Sequence, residues 1–591
     1  MKNENFLVLI EYLRESKRIY IYKGTEMRRL KMWRHVLQPF SQTYLMKRVN
    51  RIMTALMACG ICLTAQAQTL SETWSPDKGD GTYVNPVIYA DYSDPDVVRV
   101  GDTFYMTASS FQAAPGLPIL TSKDLVNWTI ANYALDAVPP VDVYSLPQHG
   151  KGVWAPSIRH HDGQFYIYWG DPDFGIFMVK ASDPLGKWSE PVLVKGGKGM
   201  IDPCPLWDDD GKAYLVNGWA ASRSKMNSVL TVWEMTPDGT SLTGAPVLVY
   251  DGNKDGNHTA EGPKFYKNAG KYYILCPAGG VASGWQLALR SDSPFGPYES
   301  RRVMSQGKTD INGPHQGGLV DAPDGTSWFL HFQESQPYGR VIHLNPVAWK
   351  DGWPEMGKNG EPVKRHRKPV ATKERYNPQE SDGFDSIELG RQWQWHANYS
   401  PLFGMTSPYG FMRIYGHPLS EGFRNFWEVP NLLLQKFPAP EFTATVKMKV
   451  SAQEDGQQSG LIVMGRDYAR LSAERAGKEF ILNYIVCREA EGGAAEEVEE
   501  LARIPATRLY NAGNLDNSEL DIWMRVKVGK GGVCGFSYST DGKKFLPAGK
   551  PFQAREGKWI GAKVGAFSVQ PSGKSRGWVD LDWFRMERNP K

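Results

Sequence analysis

Apolar and polar positions alternate in short runs along much of the chain, and no long stretch keeps the three-to-four-residue spacing of an amphipathic helix. Phe442-Thr443-Ala444-Thr445-Val446-Lys447-Met448-Lys449-Val450 and Asp521-Ile522-Trp523-Met524-Arg525-Val526-Lys527-Val528 read as half-exposed antiparallel strands. In the first half a different unit repeats, a turn followed by an aromatic run. It occurs at Gly101-Asp102-Thr103-Phe104-Tyr105, Asp162-Gly163-Gln164-Phe165-Tyr166, Asp210-Gly211-Lys212-Ala213-Tyr214, Ala269-Gly270-Lys271-Tyr272-Tyr273 and Asp324-Gly325-Thr326-Ser327-Trp328. Asp-Gly between apolar runs is a strong hairpin signal, because both central residues of the favoured turn need positive φ.

The repeat glycines are 62, 48, 59 and 55 residues apart. A second element follows several hairpins: Ser122-Lys123-Asp124-Leu125-Val126-Asn127-Trp128, Ser182-Asp183-Pro184-Leu185-Gly186-Lys187-Trp188, and Ser291-Asp292-Ser293-Pro294-Phe295-Gly296-Pro297-Tyr298. Each reads as a turn with an aromatic plug beside an outer strand. Five strand-dominated repeats predict a five-bladed β-propeller over residues 82–370; a large two-sheet sandwich with coincidental hairpins is the rival. Polar, irregular text over residues 371–383 reads as a linker, and residues 384–588 as a β-sandwich of jelly-roll or concanavalin-like type. The expected fold class is all-β.

With 591 residues, 41% of them hydrophobic and 22% charged, the chain has ample core for such domains and excludes a disordered, collagenous or coiled-coil protein. The net charge of +4 belongs to the N-terminus. Residues 1–67 hold 12 of the 68 Lys and Arg but 4 of the 64 Asp and Glu, which leaves the other 524 residues at net −4. A nucleic-acid partner is therefore not expected.

Residues 1–67 end in a secretory pattern: Met46-Lys47-Arg48 and Arg51 as a basic region, a mostly apolar stretch from Met53 to Ala65, and Ala65-Gln66-Ala67 as a small-x-small cleavage site. Translation is expected to start at Met46. No segment reaches 18 uncharged apolar residues, so no membrane span is expected, and the protein reads as exported to the periplasm, cell surface or medium. Beyond the leader, Cys204, Cys276, Cys487 and Cys534 are too few and scattered for a disulfide scaffold or a cysteine zinc site, although export permits a Cys204–Cys276 or Cys487–Cys534 bridge.

Three acids stand beside a Pro or Gly-Pro that fixes the backbone: Asp94 in Ser93-Asp94-Pro95-Asp96, Asp202 in Ile201-Asp202-Pro203, and Glu261 in Glu261-Gly262-Pro263. Singly, each is what a turn former looks like. As a set they change meaning, since a propeller brings the starts of its blades to one axis.

The set resembles glycoside hydrolase family 43, five-bladed propeller enzymes acting on pentose-containing polysaccharides. The resemblance begins at Asn85-Pro86-Val87, runs from Tyr92 through Tyr105 and into Ser122 to Trp128, and includes Val153-Trp154-Ala155-Pro156, Gly339-Arg340, Gly383-Phe384-Asp385 and Leu389-Gly390-Arg391-Gln392-Trp393. It implies that Asp94 is the general base, Glu261 the general acid, and Asp202 the acid that orients Glu261 and tunes its pKa. It implies Trp154, Arg340 and Phe111 as substrate-binding residues, and His315 as the histidine that often accompanies an axial structural calcium; the chemistry itself needs no cofactor. Asp96 puts a second carboxylate beside Asp94, where many members have a small residue. The implied activity is exo-acting, inverting release of terminal β-D-xylose and/or α-L-arabinofuranose from plant hemicellulose or pectic side chains. The alternative is a non-catalytic carbohydrate-binding protein on the same fold.

Overall fold

The computed structural model describes residues 73–512, 515–573 and 577–590, together with a short antiparallel pair, Tyr22–Lys23 and Glu26–Met27. The expected cleavage site lies outside the described residues. Five four-stranded antiparallel sheets follow one another along the chain. Blade I is Asp96–Val100, Thr103–Thr107, Gly116–Ser122 and Thr129–Leu135; blade II is Trp154–His161, Gln164–Asp171, Gly175–Ala181 and Val192–Gly196. Blade III is Met200–Trp207, Ala213–Trp219, Val229–Met235 and Leu242–Asp251. Blade IV is Lys264–Asn268, Lys271–Ala278, Trp285–Ser291 and Glu299–Ser305; blade V is His315–Asp321, Ser327–Glu334, Arg340–Lys350 and Trp353–Met356. The molecule is nearly all β, a five-bladed propeller followed by a sandwich.

Each of the five repeated turns joins the first and second strands of a blade. At Asp162-Gly163 and Ala269-Gly270 both central residues have positive φ, as a two-residue hairpin turn requires. The second repeated element links the third and fourth strands of blades I, II and IV, and its Trp128 and Trp188 are buried. The large apolar side chains between blades form the core clusters.

The ring closes through its N-terminal segment. Thr82–Val84 pairs with Arg365–Arg367 beyond blade V, and Ile88 exchanges backbone hydrogen bonds with Ile342 along the half of Arg340–Lys350 that Trp353–Met356 leaves uncovered. The segment expected as a linker is fastened down rather than free. Just before it, Lys368 reaches Asp77 at 2.7 Å and Asp124 at 2.8 Å with all three side chains buried and donates to Thr372 Oγ1 at 2.6 Å, and within it Gln379 bonds the backbone of Ile130 in blade I.

The sandwich stacks two eight-stranded sheets over one apolar cluster, with Phe442–Ala452 between Trp578–Glu587 and Leu515–Gly529 at the centre of one and Lys563–Gln570 central in the other. Alternation in Phe442–Ala452 is what buries Val446, Met448 and Val450 while leaving Lys447 and Lys449 only half-buried. Propeller and sandwich form one compact unit. Trp395 pairs its backbone with Ala114, the Asn398 side chain bonds both backbone groups of Val138, and the Ala562 N–H donates to Pro337 at 2.7 Å. The four cysteines past the leader are buried free thiols. Among the described residues, no helix is long and apolar enough to cross a membrane.

Candidate active site

The first strands of the blades lie against one another around the axis, and at the start of each sits one residue with φ in the left-handed region. These are Asp94 (φ 56°), Ala155 (40°), Asp202 (56°), Gly262 (57°) and Gln316 (41°). In four blades the next residue is proline, and in blade V it is Gly317. The motifs Ser93-Asp94-Pro95-Asp96, Trp154-Ala155-Pro156-Ser157, Ile201-Asp202-Pro203-Cys204, Glu261-Gly262-Pro263-Lys264 and His315-Gln316-Gly317-Gly318 are thus five copies of one kink. A left-handed conformation costs about 1–2 kcal/mol for a side chain other than glycine, and such strain gathers where it positions functional groups. At Gly262 a side chain would add a clash to that strain, since a Cβ there would stand 2.5 Å from Gln316 Cδ and displace the Gln316 side chain.

These kinks gather the predicted acids. Asp94 Oδ1 accepts from Arg340 at 3.0 Å and Oδ2 from the Ser109 hydroxyl at 2.6 Å. Ser109 Oγ in turn accepts the Ala155 N–H at 2.7 Å, so blade II steadies the acid of blade I. Asp202 Oδ2 accepts the Gly262 N–H at 2.8 Å, which ties the third acid to the residue after Glu261. Asp96 points elsewhere: it is fully buried, accepts the Ile158 N–H at 2.9 Å and pairs with Arg159 at 2.6 Å.

The charges work on one another. Burial pushes the Glu261 carboxyl well above the usual carboxylate range, the Asp202 charge pushes it further, and Arg340 opposes both. Asp202 is also raised, first by burial and then against the Gly262 hydrogen bond. His315 Nε2 lies 3.9 Å from Glu261 Oε1, yet this is no ion pair: burial, then the charge of Arg340, pushes the imidazole down to about 3, so it stays neutral. Glu261 therefore has a negative neighbour and a neutral one at close range.

Both His315 ring nitrogens are buried without a protein hydrogen-bond partner. Calcium takes six to eight oxygen ligands, whereas His315 offers nitrogen and no group of three His, Cys, Asp or Glu comes together among the described residues.

Arg340 is buried beneath the ring of Phe332 and held from behind: its N–H donates to Asp91 Oδ1 at 2.9 Å. Only glycine fits before it, since a Cβ on Gly339 would lie 2.4 Å from Asp91 Oδ1 and 2.7 Å from the Gly561 nitrogen. Trp154 is half-buried, with Arg223 over its ring at 5.8 Å. Phe111 is buried in the adjoining loop and pairs its backbone with Val153. Three contributors had no mark in the sequence reading: Ser109, Asp91 and Trp559. Trp559 comes from the sandwich, 46% exposed, its ring edge-on to Trp154 at 6.5 Å and 5.9 Å from the Arg340 guanidinium. The Glu556-Gly557-Lys558-Trp559 stretch does show an aromatic near glycine, but nothing in it points to a pocket whose residues lie 219 (Arg340) to 465 (Asp94) positions upstream of Trp559.

The arrangement offers a carboxylate held by two donors, one of them the Arg340 cation, and a carboxyl disposed to keep its proton, with Trp154 and Trp559 beside Arg340's end of the site: the equipment for acid–base cleavage of a glycosidic bond. Residues 83–354 match the family profile "Glycosyl hydrolases family 43", and residues 381–587 match "Beta xylosidase C-terminal Concanavalin A-like domain". A "Putative beta-xylosidase" of Xylanibacter ruminicola is 36% identical over 510 residues, covering 83% of this chain and 87% of its own. A "Non-reducing end alpha-L-arabinofuranosidase" of Bacteroides ovatus is 32% identical over 423 residues, covering 67% and 77%. The crystal structure of a family 43 protein from Bacillus licheniformis superposes with a TM-score of 0.71 at 25% identity, over 86% of this chain and all of that one.

Proposed function

Because the chain belongs to glycoside hydrolase family 43, with relatives of the β-xylosidase and α-L-arabinofuranosidase type, we propose that it is an exported, exo-acting, inverting enzyme. It releases terminal β-D-xylose and/or α-L-arabinofuranose from plant hemicellulose or pectic side chains. The observation that carries this reading is the convergence of Asp94, which pairs with Arg340, and Glu261, whose hold on its proton is strengthened by burial and the Asp202 charge.

Glu261 donates its proton to the leaving oxygen as the bond to the sugar breaks. Asp94 accepts a proton from a water that attacks the anomeric carbon from the other face. Inversion requires the two carboxyl groups to stand roughly 6.5–9.5 Å apart, leaving room for that water. Desolvation and Asp202 keep Glu261 protonated until the leaving oxygen needs the proton. Arg340, fixed by Asp91 and Asp94, points donors at sugar hydroxyls, and Trp154 supplies an apolar face. Trp559 walls the pocket from the sandwich side, which supports exo action on a chain end. The family's chemistry needs no cofactor. Export rests on the basic, apolar and small-x-small pattern ending at Ala67.

The test is hydrolysis by residues 68–591 of nitrophenyl β-D-xyloside and α-L-arabinofuranoside side by side, with Glu261→Gln and Asp94→Asn as controls, and proton NMR of the first-formed anomer. Turnover abolished by Asp94→Asn, with inverted product, supports the reading; retained configuration or turnover indifferent to both substitutions overturns it.

A further inference from the structure

A cleft of about 670 Å³ opens where the 333–340 segment of the propeller faces the 556–560 loop of the sandwich. It shares Arg340 and Trp559 with the catalytic pocket, so on the glycosidase reading above it is the room left for the sugars behind a terminal pentose. Each of its cations has a carboxylate neighbour, while the buried Arg466 Nε makes no hydrogen bond. Arg340 pairs with Asp94 at 3.0 Å, and Arg466 lies 3.8 Å from Glu491, which also holds Lys558 at 2.7 Å. Arg555, next to the lining, pairs with Asp467 at 3.1 Å and Glu489 at 2.9 Å.

Two lining carboxylates are not matched. Glu334 from the propeller and Glu556 from the sandwich face this cleft with no ion pair or side-chain hydrogen bond among the described residues. Both are half-buried rather than extended into bulk water. The lining also holds two non-glycine residues in the left-handed region, Gln336 (φ 49°) and Trp559 (φ 64°), one from each domain. Strained residues of this kind concentrate at ligand clamps.

We propose that Glu334 and Glu556 make this cleft a charge-selective subsite, which accepts neutral, hydroxyl-rich sugar units behind the scissile bond and rejects units bearing a carboxylate, such as a uronic acid. A carboxylate only accepts hydrogen bonds, so these two suit sugar hydroxyls and offer an incoming carboxylate no donor of their own. Like charges brought together between two protein walls repel more strongly than in open water, and such juxtaposition is how interfaces exclude wrong partners.

The experiment compares kcat/KM on three oligosaccharides with the same terminal pentose: one neutral, one carrying a uronic acid on the next unit, and the carboxyl-reduced form of that one, which keeps its shape without its charge. The reduced form should be turned over about tenfold better than the acid, a difference of about 1.4 kcal/mol. The gap should close at about 1 M salt, where screening acts within about 3 Å, and in the Glu334→Gln/Glu556→Gln double variant. Equal turnover of acid and reduced forms, or a gap indifferent to salt, overturns the proposal. The salt series uses the unmodified enzyme, so it decides the matter even where the double variant fails to fold. Absence of turnover on the nitrophenyl pentosides would instead overturn the glycosidase reading, and the subsite with it.

Discussion

Asp94, in the kink before the first strand of blade I, and Asp96, the first residue of that strand, serve different partners: Asp94 meets Arg340 at 3.0 Å in the pocket, Asp96 meets Arg159 at 2.6 Å inside the ring. The left-handed kink at Asp94 separates them. Their substitutions should therefore fail in different ways. Asp96→Ala leaves Arg159 without its counter-charge and the Ile158 N–H without its acceptor, and should lower stability by about 3–5 kcal/mol. Asp94→Asn keeps one acceptor, for Arg340, and replaces the other with an amide N–H that can donate to the Ser109 hydroxyl, so it should abolish turnover with little change in melting temperature. Calorimetry and activity on both variants check this; a stable, inactive Asp96→Ala would assign the base to the wrong residue.

Glu261→Ala should separate substrates by leaving group. A nitrophenolate departs without protonation, so nitrophenyl pentosides should lose much less activity than a natural oligosaccharide, with a difference of about 10²–10⁴-fold, the usual contribution of a general acid. Asp94→Ala should lose both alike. Parallel kcat/KM measurements decide it, and equal losses for Glu261→Ala would remove it from the acid role.

Asp202→Asn should narrow the pH profile from the alkaline side. The charge of Asp202 raises the proton affinity of Glu261, so its removal lets Glu261 ionise at lower pH, and the alkaline limb of kcat/KM moves down. An alkaline limb that stays in place would show that Asp202 acts on Glu261 only through the Gly262 backbone.

Arg340→Met should move the same limb the other way. Arg340 lowers the proton affinity of Glu261, so its loss keeps Glu261 protonated to higher pH. The rate should nevertheless fall by about 10²-fold or more, because Asp94 and the sugar both lose their fixed donor. Opposite shifts from Asp202→Asn and Arg340→Met, read from full pH profiles, would be hard to obtain from general loosening of the site.

Trp559→Ala should reduce kcat/KM on small pentosides by about tenfold, the scale of one edge-on aromatic contact, mainly through KM. Its half-exposed ring contributes little to the core, so the melting temperature should stay put. An unchanged KM would mean that the sandwich loop does not touch bound sugar.

Much of this protein was determined by its sequence alone. Asp-Gly and Ala-Gly turns before aromatic runs dictate hairpins because few residues tolerate positive φ, and their recurrence at about blade length specifies five sheets. Alternation such as that of Phe442–Ala452 dictates a sheet with one buried face. The three acids were legible too, because each lies on a rigid kink written as a residue before proline or as Glu-Gly-Pro. What the tertiary structure decided is who faces whom. Asp94 and Asp96 are both acids in one motif, and only the ring shows that one meets Arg340 and the other Arg159, 246 and 63 residues away. Ser109, Asp91 and Trp559 carry no local signal, since their roles arise from contacts across blades and across domains. Closing the ring and docking the sandwich bring these distant segments within hydrogen-bond reach, and at those distances desolvation and the charge of Asp202 make an ordinary glutamate hold its proton.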